Sequence, residues 1–480
     1  MKKALAVVLA AAMMALMLAA CGSSGSSSAA PAAAASSAES EAAPAAEAKS
    51  EAAPAAEAES EAAPAAEAAS ASSQSEAAAE ETVNYLAELV AMDDGLCLSG
   101  VQSPVQEDRS DIYKALDKVE KKDKVTVAFC GASLGADFFV AWERSMVEET
   151  EKRGWEFLES NAQFDIELQN TQFDAFVQQG VDVIILNALR PDAQVDRIEA
   201  AVNAGIPVIL ATSAPSTPEI PAVTTICAGS NLAGWLSGQY AAEQFYKPGE
   251  AINIGFALMF TSIADTNSHG CGFISGYLAY VAEQEGHPYA DRYAATIDGM
   301  KIWLELRDKG KYDASDMGMN LVGYGQGEGT DAASGQVASS DLLTAHPEMD
   351  LIVVDTDGMV TGVISEIEQH SMVPNEDIKV ICCSDGTETV CKLIKEGVVM
   401  ASGLNHPAYY TKGIFACLDT MYTDNGGDFD INNLCANTFN PTEMITQDNV
   451  NDYYIEGAMF GAPLAEFKVY DVPTWNAENA

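Results

Sequence analysis

Lys124-Val-Thr-Val-Ala-Phe-Cys130, Val181-Asp-Val-Ile-Ile-Leu-Asn187 and Ala204-Gly-Ile-Pro-Val-Ile-Leu210 are short apolar runs set between amphipathic stretches, and their order decides the fold. Such runs are shorter than a helix and rich in β-branched residues, which suits strands covered on both faces. Five strands are expected: Lys124–Cys130, Trp155–Glu159, Val181–Asn187, Ile206–Thr212 and Ala222–Ala228, with helices between the first four. Gly154, Gly180 and Gly205 each follow a helical pattern and precede a strand, where a left-handed helix cap favours glycine. Repeated strand-helix-strand units imply a parallel sheet with helices on both faces.

The rhythm restarts after a helical stretch from Asn231 to Tyr246. Strands are expected at Ile252–Phe260, Asn320–Tyr324, Asp350–Asp355, Ile378–Ser384 and Val398–Gly403, with Gly397 just before the last. The fold class is therefore α/β, as two doubly wound parallel-sheet lobes. Ligands of such sheets sit beyond the carboxyl ends of the strands, so two facing lobes enclose a cleft lined by strand-end loops.

Upstream, Met1-Lys2-Lys3, an apolar run to Met17 and Leu18-Ala19-Ala20-Cys21 read as a secretory signal rather than a membrane span, being too short and ending on small residues. The cysteine at the cleavage position resembles that of bacterial lipoproteins, which implies that Cys21 is acylated. Residues 22–81 are almost entirely Ala, Ser, Glu, Pro and Gly, with ten-residue repeats opening at Glu41, Glu51 and Glu61. Such a segment buries too little apolar surface to order itself and serves as a disordered linker. Residues 82–123 form an extension without a clear pattern. The net charge of −46 excludes nucleic acid as a partner and limits membrane contact to the N-terminal lipid. Of ten cysteines, Cys130, Cys227, Cys382 and Cys383 fall in strand-like runs, and buried free thiols are expected.

From Lys124 to about Tyr454 the chain resembles the ribose- and galactose-type periplasmic binding proteins. The resemblance rests on the runs quoted above, on Ala136-Asp137-Phe138-Phe139 opening a helix, and on Leu342 to Asp355. Ser384-Asp385-Gly386-Thr387 and Asn405-His406-Pro407 complete it. It implies the type I periplasmic-binding fold, with lobe 1 at 124–228 plus 406–440 and lobe 2 at 229–405 plus 441–480. Three hinge crossings are then expected near Ala228, Asn405 and Asn440. The implied function is capture of a sugar-like polar solute by a monomer and delivery to the permease of an ABC importer. The implied pocket is Asp137, Phe138, Phe139, Asn187, Ser213, Asp357, Asp385 and Asn405. An aromatic ring can face the C–H side of a sugar while carboxylates and amides take its hydroxyls. Core packing is the alternative for both phenylalanines, and capping or turn roles are the alternative for Asn187, Asp357 and Asp385.

The chain departs from that pattern at His269-Gly-Cys-Gly-Phe273, where the sugar binders commonly carry an arginine in place of the histidine, and at Thr212-Ser213. His269 is retained as a candidate hydrogen-bonding group, without the guanidinium fork. Asp137, Asp357 and Asp385 disfavour an anionic solute and suit a polyhydroxy or cationic one. Residues 286–319, with Tyr289, Tyr293 and Trp303, form an insertion that could wall the pocket, contact a transporter or lie inert. Gly131-Ala-Ser133-Leu-Gly135 has the spacing of a hydrolase elbow, but it lies on the first strand, so an enzyme using Ser133 is a third reading. The second is a receptor that presents its solute to a chemoreceptor or sensor kinase. Gly323 to Gly329 reads as a flexible strand-end loop, and Asp424 to Asp430 as a turn in preference to a calcium loop. No cofactor and no metal are expected.

Overall fold

The computed structural model describes residues 84–92, 116, 119–212 and 220–478. Cys21, the linker, Ser213 and most of the 82–123 extension lie outside them. The strands are β1 (Thr126–Gly131), β2 (Glu156–Asn161), β3 (Val183–Leu186), β4 (Val208–Thr212), β5 (Thr225–Cys227), β6 (Ile252–Leu258) and β7 (Tyr312–Ala314). They continue with β8 (Met319–Gln326), β9 (Leu351–Val354), β10 (Lys379–Asp385), β11 (Ala401–Leu404), β12 (Asn437–Phe439) and β13 (Met444–Thr446). The helices used below are α1 (Tyr85–Met92), α2 (Asp137–Lys152), α3 (Ile166–Gln179), α4 (Val195–Asn203), α5 (Ser230–Phe245), α6 (Ala264–Gln284), α7 (Arg292–Lys309) and α8 (Ala332–Ala345).

Two sheets carry the molecule, in the orders β2-β1-β3-β4-β5-β12 and β7-β8-β6-β9-β10-β11-β13. All pairs of the first are parallel, while β7 and β13 close the edges of the second in antiparallel fashion. Each sheet reverses its strand order at its first strand, between β1 and β3 and between β6 and β9. Doubly wound sheets open their ligand crevice at that reversal. Every one of the ten expected strands is present within a few residues. The helices form for legible reasons. In α2, Phe138, Trp142, Met146 and Thr150 recur every fourth residue and are the buried stripe. In α3, Asp165 caps the first turn by accepting from the Glu167 and Leu168 N–H groups, and Gly180 ends the helix at φ 67°.

The second lobe is held by an unusually close helix pair. A Cβ added at Gly234 or Gly238 of α5 would strike the carbonyls of His269 or Phe273, and one at Gly272 or Gly276 of α6 would strike those of Asn231 or Trp235. Two glycines four apart on each helix thus let the backbones touch. Outside this pair lies the 286–319 insertion. It forms α7, with Trp303 fully buried and donating its indole N–H to Asn267 Oδ1 at 3.0 Å. Leu89 of α1 packs into the same core cluster. The insertion is therefore a core layer, and no residue of it lines the cleft. The Gly323–Gly329 stretch also differs from expectation: its first four residues belong to β8, and Gly325 admits the Ala338 carbonyl of α8 against the strand.

The tail departs from expectation too. The sequence places 441–480 in lobe 2, yet past Tyr453 the chain crosses back. Phe460 packs against Phe138, the Cys435 N–H donates to the Tyr470 carbonyl, and Leu434 bridges Asp471 beside the first sheet. The Glu388 N–H donates to the Met459 carbonyl, so this strap is fastened to both lobes and forms a fourth crossing. Eight described cysteines are buried and free, and burial pushes the Cys130 and Cys417 thiols up to about 12. At Asp424–Asp430, Asp424 pairs with Lys121, and Asp430 accepts from the Asn432 N–H at 2.9 Å, which is turn geometry.

Candidate functional site

A cavity of about 360 Å³ lies between the carboxyl ends of the two sheets. Asp137, Phe138, Phe139, Asn187, His269, Asp357, Asp385 and Asn405 all line it. Ser213 is outside the described residues.

The wall from lobe 1 is aromatic. Phe138 and Phe139 sit in the first turn of α2, where neighbours point about 100° apart. Phe138 turns inward: it is 9% exposed and packs edge-on against Tyr410 and Phe460 at centroid distances of 5.8 and 6.2 Å. It is thus chiefly a core residue, as the packing alternative holds. Phe139 is only half-buried and meets Phe164 at 6.0 Å. Phe164 in turn meets Phe260, at the end of β6, at 5.5 Å, so a row of rings runs from one lobe to the other. Phe164 and its neighbour Gln163 hold φ of 60° and 52°, a left-handed backbone that costs on the order of 1–3 kcal/mol for such residues. The Phe164 N–H donates to the Ala132 carbonyl at 2.9 Å and fixes the turn against β1. Asn187, at the end of β3, is spent locally: its amide oxygen accepts from the Ala132 N–H at 3.2 Å and its amide donates to the Ala211 carbonyl at 3.4 Å. Asp137 is exposed at the rim.

The wall from lobe 2 is a lattice of carboxylates and hydroxyls on strand ends. Asp357 follows β9 and accepts from the Gly386 N–H (2.7 Å), the Thr387 N–H (2.7 Å) and hydroxyl (3.1 Å), and the Ser402 hydroxyl (2.7 Å). It therefore pins the loop after β10, the turn role held as its alternative, while still lining the cavity. Burial raises its carboxyl, opposed by those donors. Asp385 ends β10 and accepts from the Thr356 hydroxyl at 2.6 Å and, at 3.4 Å, from the Asn405 amide. The Tyr410 hydroxyl donates to Asn405 Oδ1 at 3.0 Å and so aims that amide. Burial, and then the neighbouring Asp357 charge, lift Asp385 to about 7. His269, on α6, shares a 2.6 Å hydrogen bond between Nδ1 and Asp355 Oδ1. Burial disfavours its cation, but Asp355 offsets this and the imidazole is raised. Asp355 is itself held by the Thr266 hydroxyl at 2.7 Å and the Met259 N–H at 2.9 Å.

Sequence reasoning did not single out Phe164, Phe260, Asp265, Asp331 or Tyr410. The polar connection Asn161-Ala-Gln-Phe-Asp165 between β2 and the α3 cap carried the only hint, an aromatic in a strand-end loop. Ser133, the hydrolase candidate, accepts from the Gly135 N–H at 3.0 Å in a local turn.

Residues 127–422 match the periplasmic binding protein domain family, and the chain belongs to it. It is a solute-binding protein of an extracytoplasmic family and not an enzyme. Among relatives, it is 26% identical to the ribose import binding protein of Bacillus subtilis over 60% of this chain and 78% of that one. To the protein of the same description in Escherichia coli it is 22% identical, over 58% and 78%. Two solved structures share the fold. One is a Mycobacterium smegmatis protein in complex with β-D-fucofuranose (TM-score 0.54, 20% identity, 68% of this chain and 93% of that one). The other is a galactofuranose binding protein (TM-score 0.52, 17% identity, 68% and 96%). Among the described residues, no helix is long and apolar enough to cross a membrane.

Proposed function

We propose that the protein captures a single sugar or polyol ring in the cavity between its lobes and hands it to the permease of an ABC importer. The observation that carries this is the juxtaposition of a half-buried ring, Phe139, with a hydrogen-bonding wall of Asp385, Asn405 and His269 across about 360 Å³. A saccharide has an apolar C–H face and a ring of hydroxyls, and the two walls offer one surface for each. The named ligands of the relatives, ribose and the two furanoses, support the class. Closure of the lobes about the crossings near Ala228, Asn405 and Asn440 retains the solute, with 124–228 and 406–440 acting against 229–405 and 441–453 and the strap past Tyr453 as a fourth link. Asp357 and Asn187 act by holding strand ends in register. The chain works as a monomer tethered outside the cell through an acyl group on Cys21, with 22–81 as the spacer.

Thermal unfolding with pentoses, hexoses in both ring forms and inositols tests this. A ligand at about 1,000 times its dissociation constant adds about 4 kcal/mol and raises Tm by several degrees. Silence across the whole panel overturns the sugar reading.

A further inference from the structure

The row of rings does more than face a solute, because two of its members belong to opposite lobes and touch each other. Phe164 comes from the connection between β2 and α3 in lobe 1, and Phe260 from just past β6 in lobe 2. Both line the cavity, and their centroids lie 5.5 Å apart with the planes tilted by 53°. Phe139 packs against the core of lobe 1 and Phe260 against a core of lobe 2. Among the described residues, Phe164 packs against no core cluster, and its ring contacts are Phe139 on its own lobe and Phe260 on the other. A half-buried ring that serves no core, on a backbone at φ 60°, is held there for what it meets across the gap.

Both ends of the contact are fixed by their own lobes. On the Phe164 side, the Gln163 N–H donates to Asn161 Oδ1 at 2.9 Å, the Phe164 N–H to the Ala132 carbonyl at 2.9 Å and the Asp165 N–H to the Ala162 carbonyl at 2.8 Å. On the Phe260 side, the Thr261 carbonyl accepts from the Asn267 amide at 3.0 Å and from the Arg307 guanidinium at 3.1 Å, while the Thr261 hydroxyl donates to Gln326 Oε1 at 2.6 Å. Arg307 belongs to α7, so the insertion reaches the cleft through the backbone beside Phe260. Each ring therefore moves with its own lobe, and rotation about the crossings parts them.

We infer that Phe164 and Phe260 are positioning residues for capture: a latch that joins when the lobes shut and sets how much of the protein is shut before any solute is bound. An aromatic pair adds to the shut state over and above its buried area, equivalent to about a two- to ten-fold change in the ratio of shut to open. Where only the shut form retains a solute, its apparent affinity follows the shut fraction, so the latch acts equally on every solute the cavity takes. The inference rests on the cavity between the lobes being the solute site.

Electron–electron resonance between spin labels on exposed Glu199 of lobe 1 and Glu376 of lobe 2, in the full chain without added solute, tests it. The unsubstituted chain should show a shut and an open population. Phe164→Ala and Phe260→Ala should each lower their ratio about two- to ten-fold, and the double substitution should do no more than the larger single one, because one contact is lost only once. Unchanged distances, additive effects, or no shut population in the unsubstituted chain overturn the latch. Phe164→Ala decides the matter even if Phe260→Ala does not fold, since its ring lies outside the core clusters. Calorimetry of the same chains with D-ribose, D-galactose and myo-inositol should show affinity falling by one common factor for each probe that binds. A loss confined to one probe makes Phe164 a direct solute contact and overturns the inference. Silence of all three probes with the distances shifted as expected counts against the sugar reading and leaves the latch standing.

Discussion

The two walls of the cleft come from the same kind of element, a loop leaving the carboxyl end of a parallel strand, yet they are built on opposite chemistry. Lobe 1 presents rings, with Phe139 and Phe164 meeting edge to face in a row and the polar Asn187 consumed inside the wall. Lobe 2 presents carboxylates held by donors from neighbouring strand ends, a hydroxyl and an amide for Asp385 and backbone N–H groups with hydroxyls for Asp357. The lesson is that a strand end selects position and leaves chemistry free: an apolar side chain there needs only packing, whereas a carboxylate needs a second layer of donors to hold it.

The largest effect should follow from removing such a second layer. Asp357→Ala strands four donors around the loop after β10, so urea unfolding should show a loss of about 3–5 kcal/mol, with ligand binding lost as well. An unchanged midpoint would mean that lobe 2 does not depend on its carboxylate lattice. The ring wall should divide more finely. Phe138→Ala should cost about 3–4 kcal/mol of stability because its ring is packed on Tyr410 and Phe460. Phe139→Ala should cost under about 1.5 kcal/mol and instead weaken solute binding some ten- to a hundred-fold. Equal stability losses would erase the distinction between the two neighbours.

The carboxylate wall also predicts a pH slope. Asp385 keeps its proton up to about 7 in the folded chain but releases it near 3.8 when unfolded, so the folded form binds more protons between those values. Its contribution to stability therefore falls as pH rises from about 4 to 7. His269, raised by Asp355, contributes in the same direction: its share is present below about 6.5 and is lost as pH climbs through the folded value. Midpoints of Asp385→Asn measured across this range should be flatter than those of the unsubstituted protein, and parallel slopes would contradict the assignment. The smallest effect belongs to lobe 1 away from the cleft. Arg153 makes a paired contact with Asp419 at 2.6 and 2.7 Å above the Phe415 ring, so Arg153→Ala should cost about 1–2 kcal/mol and leave solute affinity unchanged.

The two walls were also unequally legible in the sequence. The strands could be read because a parallel strand covered on both faces is a continuous apolar run, and the helix ends because Gly154, Gly180, Gly205 and Gly397 take left-handed φ values. The positions of Asp137, Asp385 and Asn405 came from the family resemblance, with Asp385 also legible as the end of an apolar run. What the sequence hid was nonlocal. The edge strands β7, β12 and β13 have three residues each and carry no periodicity. Whether Asp357 faces solute or backbone depends on Gly386, Thr387 and Ser402, which arrive from two other strands. The strap was invisible because its anchors, Phe460 and Asp471, have partners far from them along the chain.

The four glycines at the α5–α6 contact bear on how this protein can diverge. Gly234, Gly238, Gly272 and Gly276 admit no side chain without parting two backbones, and α6 is the helix that carries His269 to the cleft. Pocket side chains can therefore be exchanged one at a time while the frame that presents them is fixed by residues that never touch a solute. A lineage could pass from one sugar to another through substitutions at 139, 269 and 385 alone, and relatives with different appetites should still be alignable by the four-residue spacing of those glycines.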